Sequence, residues 1–251
     1  VTAGNGTPST NAISPYRAGG YSLDFDGTTN NYVKYTHDDY IIGTNPFTAE
    51  FWVNLNSIST HSQGVFIHGL HHSADGLTQP YIMVNYNNNT GSFDYQLRAA
   101  NGTQYGLNAT DGSAIVAGKW YHLFLQRNAS GTLSIWCNGN PGIASVAGYP
   151  SVGANSVDLF DNYFIFGRFD FDGSLYDGDA NHKIKDIKVS VGTNTLITSG
   201  NPTVPTIPYD ASGPDTIFFA ANKPYLAEEV KNPVIQTNGT AWKISTASPY
   251  D

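Results

Sequence analysis

The sequence predicts an all-β domain in which two antiparallel sheets pack face to face as a sandwich. Short segments that alternate apolar and polar residues recur along the chain, and Gly, Asn and Asp separate them. No stretch has the 3.6-residue periodicity of a convincing helix. A hairpin is predicted where two runs rich in aromatic and branched residues, 120–127 and 133–139, flank the short polar connection 128–131.

The predicted strands follow one another along the chain. Residues 21–27 alternate with period two and end in Asp26-Gly27, which signals a turn. Residues 47–55 are predicted as a core strand because every second side chain is apolar. These side chains are Phe47, Ala49, Phe51, Val53 and Leu55. Further strands are predicted at 64–70, 80–86, 92–99, 102–107, 163–168 and 183–191.

The second strand of the hairpin has two different faces. Leu133, Ile135 and Cys137 form an apolar face, while Trp136 lies on the other face, where it can meet a ligand. Cys137 is the one cysteine of the chain, so no intrachain disulfide can form. Its place in an apolar strand predicts a buried and inert thiol.

Composition limits the classes of partner. Hydrophobic residues make up 40% of the 251 residues, which is enough for a sizeable core. A net charge of -8 opposes binding to nucleic acid or to anionic lipid, because both need clustered Lys and Arg. No apolar run is long enough to span a bilayer. We therefore expect neither a nucleic-acid partner nor membrane insertion.

The residue composition changes after Val191, where prolines become frequent. Residues 17–192 are predicted as the sandwich. Residues 193–251 are predicted as a Pro-rich linker, punctuated by four prolines up to Pro214, followed by a small β appendage at 215–221 and 234–244. Residues 1–16 are interpreted as a junction between repeats.

The two ends of the chain resemble each other, which is the reason for that interpretation. Near the start, Val1, Asn5-Gly6-Thr7 and Ser14-Pro15-Tyr16 follow in order. Near the finish, the same residue types recur in the same order, with one residue of slippage, as Val234, Asn238-Gly239-Thr240 and Ser248-Pro249-Tyr250. The echo predicts one period of a tandem array, and coincidence in a chain of low diversity is the alternative.

Five segments occur in an order that is characteristic of one protein family. They are 20–27 with 32–33, 47–53, 118–122, 136–139 and 184–188. On these segments, residues 17–192 resemble the laminin-G-like, concanavalin A-like lectin/glucanase superfamily, which implies a jelly-roll sandwich. The closing segment, Val191-Gly192-Thr193 and the Pro-rich tail to Pro208-Tyr209, is similar to the ends of such domains in structural proteins of tailed bacteriophages. That likeness implies a virion or other surface location.

The resemblance also frames the question of catalysis, because the superfamily includes glycosidases. Its retaining enzymes use a Glu-x-Asp-x-x-Glu motif, which places the nucleophile and the acid on one strand face. The chain has only three glutamates, Glu50, Glu228 and Glu229, and none lies in such a motif. We therefore predict that the protein is not an enzyme.

Calcium is the one cofactor that we predict. Laminin-G-like domains often hold an ion at the rim of the sandwich, and calcium prefers several oxygen ligands. The stretch 170–179 is rich in carboxylates and glycine but lacks the closing Glu of an EF-hand. A solvated acidic loop is the alternative. The candidate ligands are Asp170, Asp172, Asp177 and Asp179.

A carbohydrate site requires an aromatic ring for the apolar face of a sugar and polar side chains for its hydroxyl groups. Both types occur at or near predicted strand ends. The candidate ligand-binding residues are Tyr81, Asn85, Tyr86, Tyr105 and Trp136. Packing of each ring in the core is the alternative.

Two functions from different classes follow from these observations. The first is a carbohydrate-binding or adhesion module of a modular virion or cell-surface protein, whose partner is a glycan. The second is a structural or decoration domain that makes only protein contacts with neighbouring virion or surface subunits. A glycoside hydrolase is the least favoured function, since the fold alone does not define activity.

Overall fold

The structure is a computed structural model that describes the greater part of the chain. The described residues are 20–28, 31–58, 63–68, 81–98, 104–144, 162–167, 180–209, 211–213, 215–223, 225–226, 228–231, 233–238 and 242–250. Every regular element within these ranges is a β-strand. The same ranges contain no helix that is long and apolar enough to cross a membrane.

The strands are numbered in chain order. They are β1 Ser22–Asp26, β2 Tyr32–Thr36, β3 Phe47–Leu55, β4 Gln63–His68, β5 Tyr81–Asn87, β6 Ser92–Arg98, β7 Gln104–Ala109, β8 Trp120–Arg127, β9 Leu133–Cys137, β10 Asn140–Pro141, β11 Ile143–Ala144, β12 Tyr163–Phe166, β13 Asn181–Val191, β14 Thr216–Ala220, β15 Val234–Asn238 and β16 Trp242–Ser245.

These strands form two antiparallel sheets. The first sheet has the order β10-β9-β8-β3-β13-β1-β16, and β14 also pairs with β13. The second sheet has the order β11-β7-β6-β5-β4-β12-β2-β15. Apolar side chains from both sheets meet in one continuous buried cluster between them. The prediction of an all-β, two-sheet sandwich is therefore confirmed, as is the hairpin of β8 and β9.

The core follows the period-two pattern of the sequence. All five apolar side chains predicted on one face of β3 are buried in the central cluster. The ring of Phe51 stacks on that of Phe66 from β4, with the ring centroids 5.7 Å apart, so this contact joins the two sheets. Cys137 is free and fully buried in the same cluster, as predicted. Burial raises the pKa of its thiol, which keeps it protonated.

The longest strand, β13, organises the first sheet. It pairs with β3 along one edge, and with β1 and then β14 along the other. The register shifts between Lys185 and Lys188, and Asp186 within this bulge has a φ of 49°. Asp tolerates this left-handed conformation better than most residues. Along this edge, β13 pairs with β1 before the bulge and with β14 after it.

The last strands of the chain belong to the two sheets. β14 extends the first sheet beside β13, β15 pairs with β2 at the edge of the second sheet, and β16 pairs with β1 at the edge of the first. The prediction of a separate small appendage within 193–251 is therefore wrong. The sequence predicted these strands because alternation is a local pattern. It did not predict which strands they pair with, because pairing over a long sequence separation leaves no local pattern.

The Pro-rich residues 193–209, here called the strap, lie on the outer face of the first sheet, the face turned away from the core. Gln126 of β8 exchanges two hydrogen bonds with the backbone of Ile197, at 3.2 and 2.9 Å. The indole Nε1 of Trp136 donates to Oδ1 of Asn201 at 3.3 Å. Residues predicted to be a connector therefore cover a sheet face instead.

Buried histidines predict that the fold loses stability in mild acid. His182 of β13 is fully buried against the ring of Phe25, and burial lowers its pKa from 6.5 to about 3. As the pH falls below 6.5 the unfolded chain takes up a proton here and the folded chain does not, so folding stability falls through this window. His68 and His122 act in the same direction, each with a pKa of about 4.

We expect His182→Phe, which keeps the ring and removes the titrating group, to flatten the pH dependence of unfolding. Urea unfolding followed at several values between pH 4 and pH 7 measures the effect. The wild-type chain, unfolded at the same pH values, is the reference. Identical profiles for His182→Phe and the wild type would contradict the account.

Candidate functional site

The outer face of the second sheet carries a row of polar side chains across three neighbouring strands. Asn85 of β5 lies directly opposite Asp94 of β6, and Asp94 lies directly opposite Asn108 of β7. Side chains in direct register share one face and have Cβ atoms about 5 Å apart. We call Asn85, Asp94 and Asn108 the Asp94 row. The alternate residues of these strands face the core.

Asp94 lies at the centre of the row and is held by two side chains from its own hairpin. Nδ2 of Asn87 donates to Oδ2 of Asp94 at 2.7 Å, and Oγ of Ser92 donates to Oδ1 at 3.0 Å. Ser92 is in turn hydrogen-bonded to the hydroxyl of Thr90 at 2.7 Å. The short β5–β6 turn therefore orients the carboxylate, and each carboxylate oxygen keeps capacity to accept a further hydrogen bond.

Burial changes the chemistry of this carboxylate. Asp94 is only 6% exposed, and this burial raises the pKa of its carboxyl group above 3.8, while the hydrogen bonds from Asn87 and Ser92 act in the opposite direction. A recessed carboxylate interacts more strongly with a hydrogen-bond donor than a solvated one does. The row is therefore suited to binding neutral hydroxyl groups.

The two amides that flank Asp94 have unused acceptors. Within the described part of the chain, Oδ1 of Asn85 and Oδ1 of Asn108 are buried and have no hydrogen-bond partner. Asn85 is only 3% exposed, so the lack of a partner costs free energy that a ligand donor would recover. Gly64 of β4 stands opposite Asn85 on the other side and adds no side chain there.

Apolar side chains lie next to the row on the same sheet face. Tyr81 and Met83 precede Asn85 at alternate positions of β5, and Ile165 of β12 packs against them. Tyr81 and Met83 are fully buried although they point away from the core between the sheets. The polar row therefore borders an apolar cluster, here called the apolar floor, in which Tyr81 and Met83 have no exposed surface.

The structure corrects the predicted exposure of the aromatic site residues. Tyr81 is fully buried on the outer face, and Tyr86 and Tyr105 face the core, at 2% and 6% exposure. Trp136 does lie on the face predicted for it, but its ring packs against Phe124 and the strap covers it, which leaves it 7% exposed. Of the predicted ligand-binding residues, Asn85 alone takes part in the Asp94 row.

The outer face of the first sheet holds a second polar cluster, but the chain itself occupies it. The phenol of Tyr209, the last residue of the strap, donates to Oε2 of Glu50 at 2.6 Å and lies 2.7 Å from Nε2 of His122. Burial raises the pKa of Glu50, whereas the Tyr209 hydrogen bond lowers it. His122 is thus engaged in a structural contact, and its side chain lies on the opposite face of the sheet from the thiol of Cys137, which faces the core.

The distribution of carboxylates bears on catalysis. Glycoside hydrolysis uses a pair of carboxyl groups on either side of the scissile bond. On the described part of the second sheet's outer face, Asp94 is the one carboxylate. On the first sheet, Glu50 is bound by Tyr209 and Asp186 is bound by Tyr250. The Asp94 row therefore has the composition of a binding site.

The predicted calcium ligands Asp170, Asp172, Asp177 and Asp179 lie outside the described residues. The calcium site at that loop therefore stays a prediction. Within the ranges that the structure describes, no three His, Cys, Asp or Glu side chains are grouped as they would be around a metal ion.

Comparison with known proteins agrees with the architecture. Residues 26–181, more than half of the chain, match the family described as the concanavalin A-like lectin/glucanases superfamily. The chain belongs to this superfamily. The resemblance inferred from the five sequence segments is thereby confirmed. No curated protein sequence gives a match to the chain.

Solved structures show the same fold at low sequence identity. A heptameric SAP-like pentraxin from Limulus polyphemus is 12% identical, with 71% of this chain and 77% of that chain covered and a TM-score of 0.50. A protein from Bacteroides ovatus described as carbohydrate-binding is 15% identical, with 91% of this chain and 60% of that chain covered and a TM-score of 0.54. At this identity, the likeness shows that this chain shares the fold of these proteins and does not identify a ligand for it.

We expect the pKa of Asp94 to rise further in Asn87→Ala, because the variant removes a hydrogen bond that favours the ionised carboxylate. Carboxyl ¹³C chemical shifts followed through an acid titration measure it. Asn89→Ala, a change in the exposed turn nearby, is the matched control and should leave the Asp94 titration as in the wild type. A lower pKa in Asn87→Ala would show that Asn87 does not hold the carboxylate as described.

Proposed function

We propose that the chain is a non-catalytic carbohydrate-binding module of a modular virion or cell-surface protein. The observation that carries the proposal is the Asp94 row, a recessed carboxylate between two amides whose oxygens lack partners in the described chain. Membership of a superfamily that includes lectins makes a glycan the ligand class of first choice. The virion or surface context rests on the similarity of residues 191–209 to the ends of bacteriophage domains.

The chemistry of the row fits a sugar. Neighbouring sugar hydroxyl groups each offer a donor and acceptors, and the planar amide and carboxylate groups of the row offer the complementary set in fixed positions. Tyr81 and Met83 of the apolar floor are fully buried beside the row, so they support its strand and offer no surface to the sugar. The strap covers the outer face of the first sheet, so we place the ligand at the recessed polar row of the second sheet.

The direct test begins with a glycan array, followed by calorimetry on the saccharides that bind. We expect Asp94→Asn to weaken binding by about tenfold or more, since a hydrogen bond to a charged group contributes about 1.5–3 kcal/mol. We expect a smaller loss in Asn85→Ala, since a neutral hydrogen bond contributes about 0.5–1.5 kcal/mol. Gln236→Ala, at the far edge of the same sheet, and Asn201→Ala, on the strap, are the controls and should bind as the wild type does. Equal affinity for all four variants would rule out the Asp94 row.

The calcium part of the proposal has its own test. Asp170, Asp172, Asp177 and Asp179 would supply carboxylate oxygens of the kind that calcium prefers. Repeating the array with a chelator separates two cases. Loss of binding that added calcium restores supports an ion at the predicted loop, and unchanged binding shows that the glycan site works without one.

The competing function is a structural or decoration domain that makes only protein contacts. A complete lack of saccharide binding, together with self-assembly of the purified chain, would favour it. Release of reducing ends from a polysaccharide panel would instead contradict the non-catalytic part of the proposal.

A further inference from the structure

The last residue of the Ser248-Pro249-Tyr250 tripeptide is anchored on the outer face of the first sheet. The phenol of Tyr250 donates to Oδ2 of Asp186 at 2.9 Å and accepts from Nε1 of Trp52 at 2.9 Å. Its ring meets that of Trp52 edge to face at 5.9 Å, and Nζ of Lys185 lies 5.6 Å from the ring centroid. We call Trp52, Lys185 and Asp186 the Tyr250 pocket.

Local interactions within the tripeptide restrict its backbone conformation. The backbone N–H of Tyr250 donates to Oγ of Ser248 at 3.2 Å, and the ring of Pro249 restricts φ between them. Ser248 is itself buried. On the pocket side, Asp186 is fully buried, so its carboxylate needs the hydrogen bond that Tyr250 provides. Each of the three residue types therefore has a physical role.

The same pocket also meets the beginning of the first strand. Nζ of Lys185 donates to the carbonyl oxygen of Tyr21 at 2.9 Å, and Ser22 pairs with Ser245 across the β1–β16 edge. Lys185 thus contacts both the backbone of Tyr21 and the ring of Tyr250. Tyr250 and the start of β1 therefore lie at the same end of the molecule.

The sequence carries a second copy of this anchor. Ser14-Pro15-Tyr16 follows Val1 and Asn5-Gly6-Thr7 in the order in which Ser248-Pro249-Tyr250 follows Val234 and Asn238-Gly239-Thr240, with a spacing that is one residue shorter. The pocket of this copy already holds Tyr250. We propose that Ser14-Pro15-Tyr16 is the anchor of a preceding copy of the unit and occupies that copy's equivalent of the Tyr250 pocket.

The proposal fixes how consecutive copies are joined. Only residues 17–21 separate Tyr16 from β1, and five residues span at most about 18 Å. Because Tyr21 and Tyr250 meet at one end of each unit, consecutive copies would contact each other at these ends. The second copy of this chain is therefore the partner of this surface. This inference is independent of the proposed glycan site.

The first experiment asks whether the pocket accepts the upstream anchor. The full chain with Tyr16→Ala and Tyr250→Ala is titrated to millimolar concentration with a peptide of residues 10–19, and the indole N–H of Trp52 is followed by NMR. We expect a saturable shift of this resonance, and none with the same peptide carrying Tyr16→Ala. A peptide of residues 244–251 is the positive control. Absence of a saturable shift with residues 10–19 would overturn the proposal.

The second experiment keeps the pocket intact, in case the double variant does not fold. A two-copy chain is made in which Arg17 of the second copy directly follows Tyr250 of the first. We expect both copies to fold, and we expect Tyr250→Ala at the junction to lower the melting temperature of the first copy alone. If the second copy folds only after a long Gly/Ser insert is placed at the junction, the direct connection is wrong.

Discussion

Two hydrogen-bonded carboxylates on the outer face of the first sheet, the partly buried Glu50 and the fully buried Asp186, hold the last part of the chain in place. Glu50 and Asp186 lie on or beside central strands, and burial raises the pKa of each carboxyl group. A buried carboxylate must be hydrogen-bonded to be tolerated. Tyr209 and Tyr250 provide those bonds, and in doing so they hold the strap and the end of the chain against this sheet. One face of the sandwich is therefore closed by the protein itself.

The outer faces of the two sheets differ in what lies on them. The first sheet uses its outer face for intramolecular contacts, whereas the second presents a recessed polar row beside an apolar floor. The strands that carry the row are joined by a short turn whose side chains orient Asp94. The shared fold hosts many activities, so function in a member of this superfamily depends on its sheet faces and loops.

The sequence was most informative where a structural property is local. Period-two alternation identified β3 and its buried face correctly, and the polar turn at 128–131 identified the β8–β9 hairpin. The same alternation is present in β6, where Ser92, Asp94 and Gln96 oppose the apolar set, so the signal for Asp94 existed. Alternation could not predict the register between β5, β6 and β7 that places Asn85 and Asn108 beside Asp94.

Other features depend on tertiary contacts that no short pattern encodes. The prolines of the strap correctly argued against a central strand, but they did not reveal which surface the segment covers. The exposure of the aromatic candidates was not predictable either. Tyr86 and Tyr105 face the core, and alternation does not say whether another segment lies over an outer face. Trp136 shows this directly, since it is on the predicted face and still buried.

The proposed glycan site lies on the second sheet, since the strap and Tyr250 cover the outer face of the first. Amide chemical-shift mapping of the ¹⁵N-labelled chain, titrated with a saccharide that it binds, tests this most directly. The account predicts shifts centred on β5, β6 and β7 around Asp94, with the amides of Gln126, Trp136 and Tyr209 unchanged. Shifts centred on those three residues instead, with β5 to β7 unaffected, would contradict it.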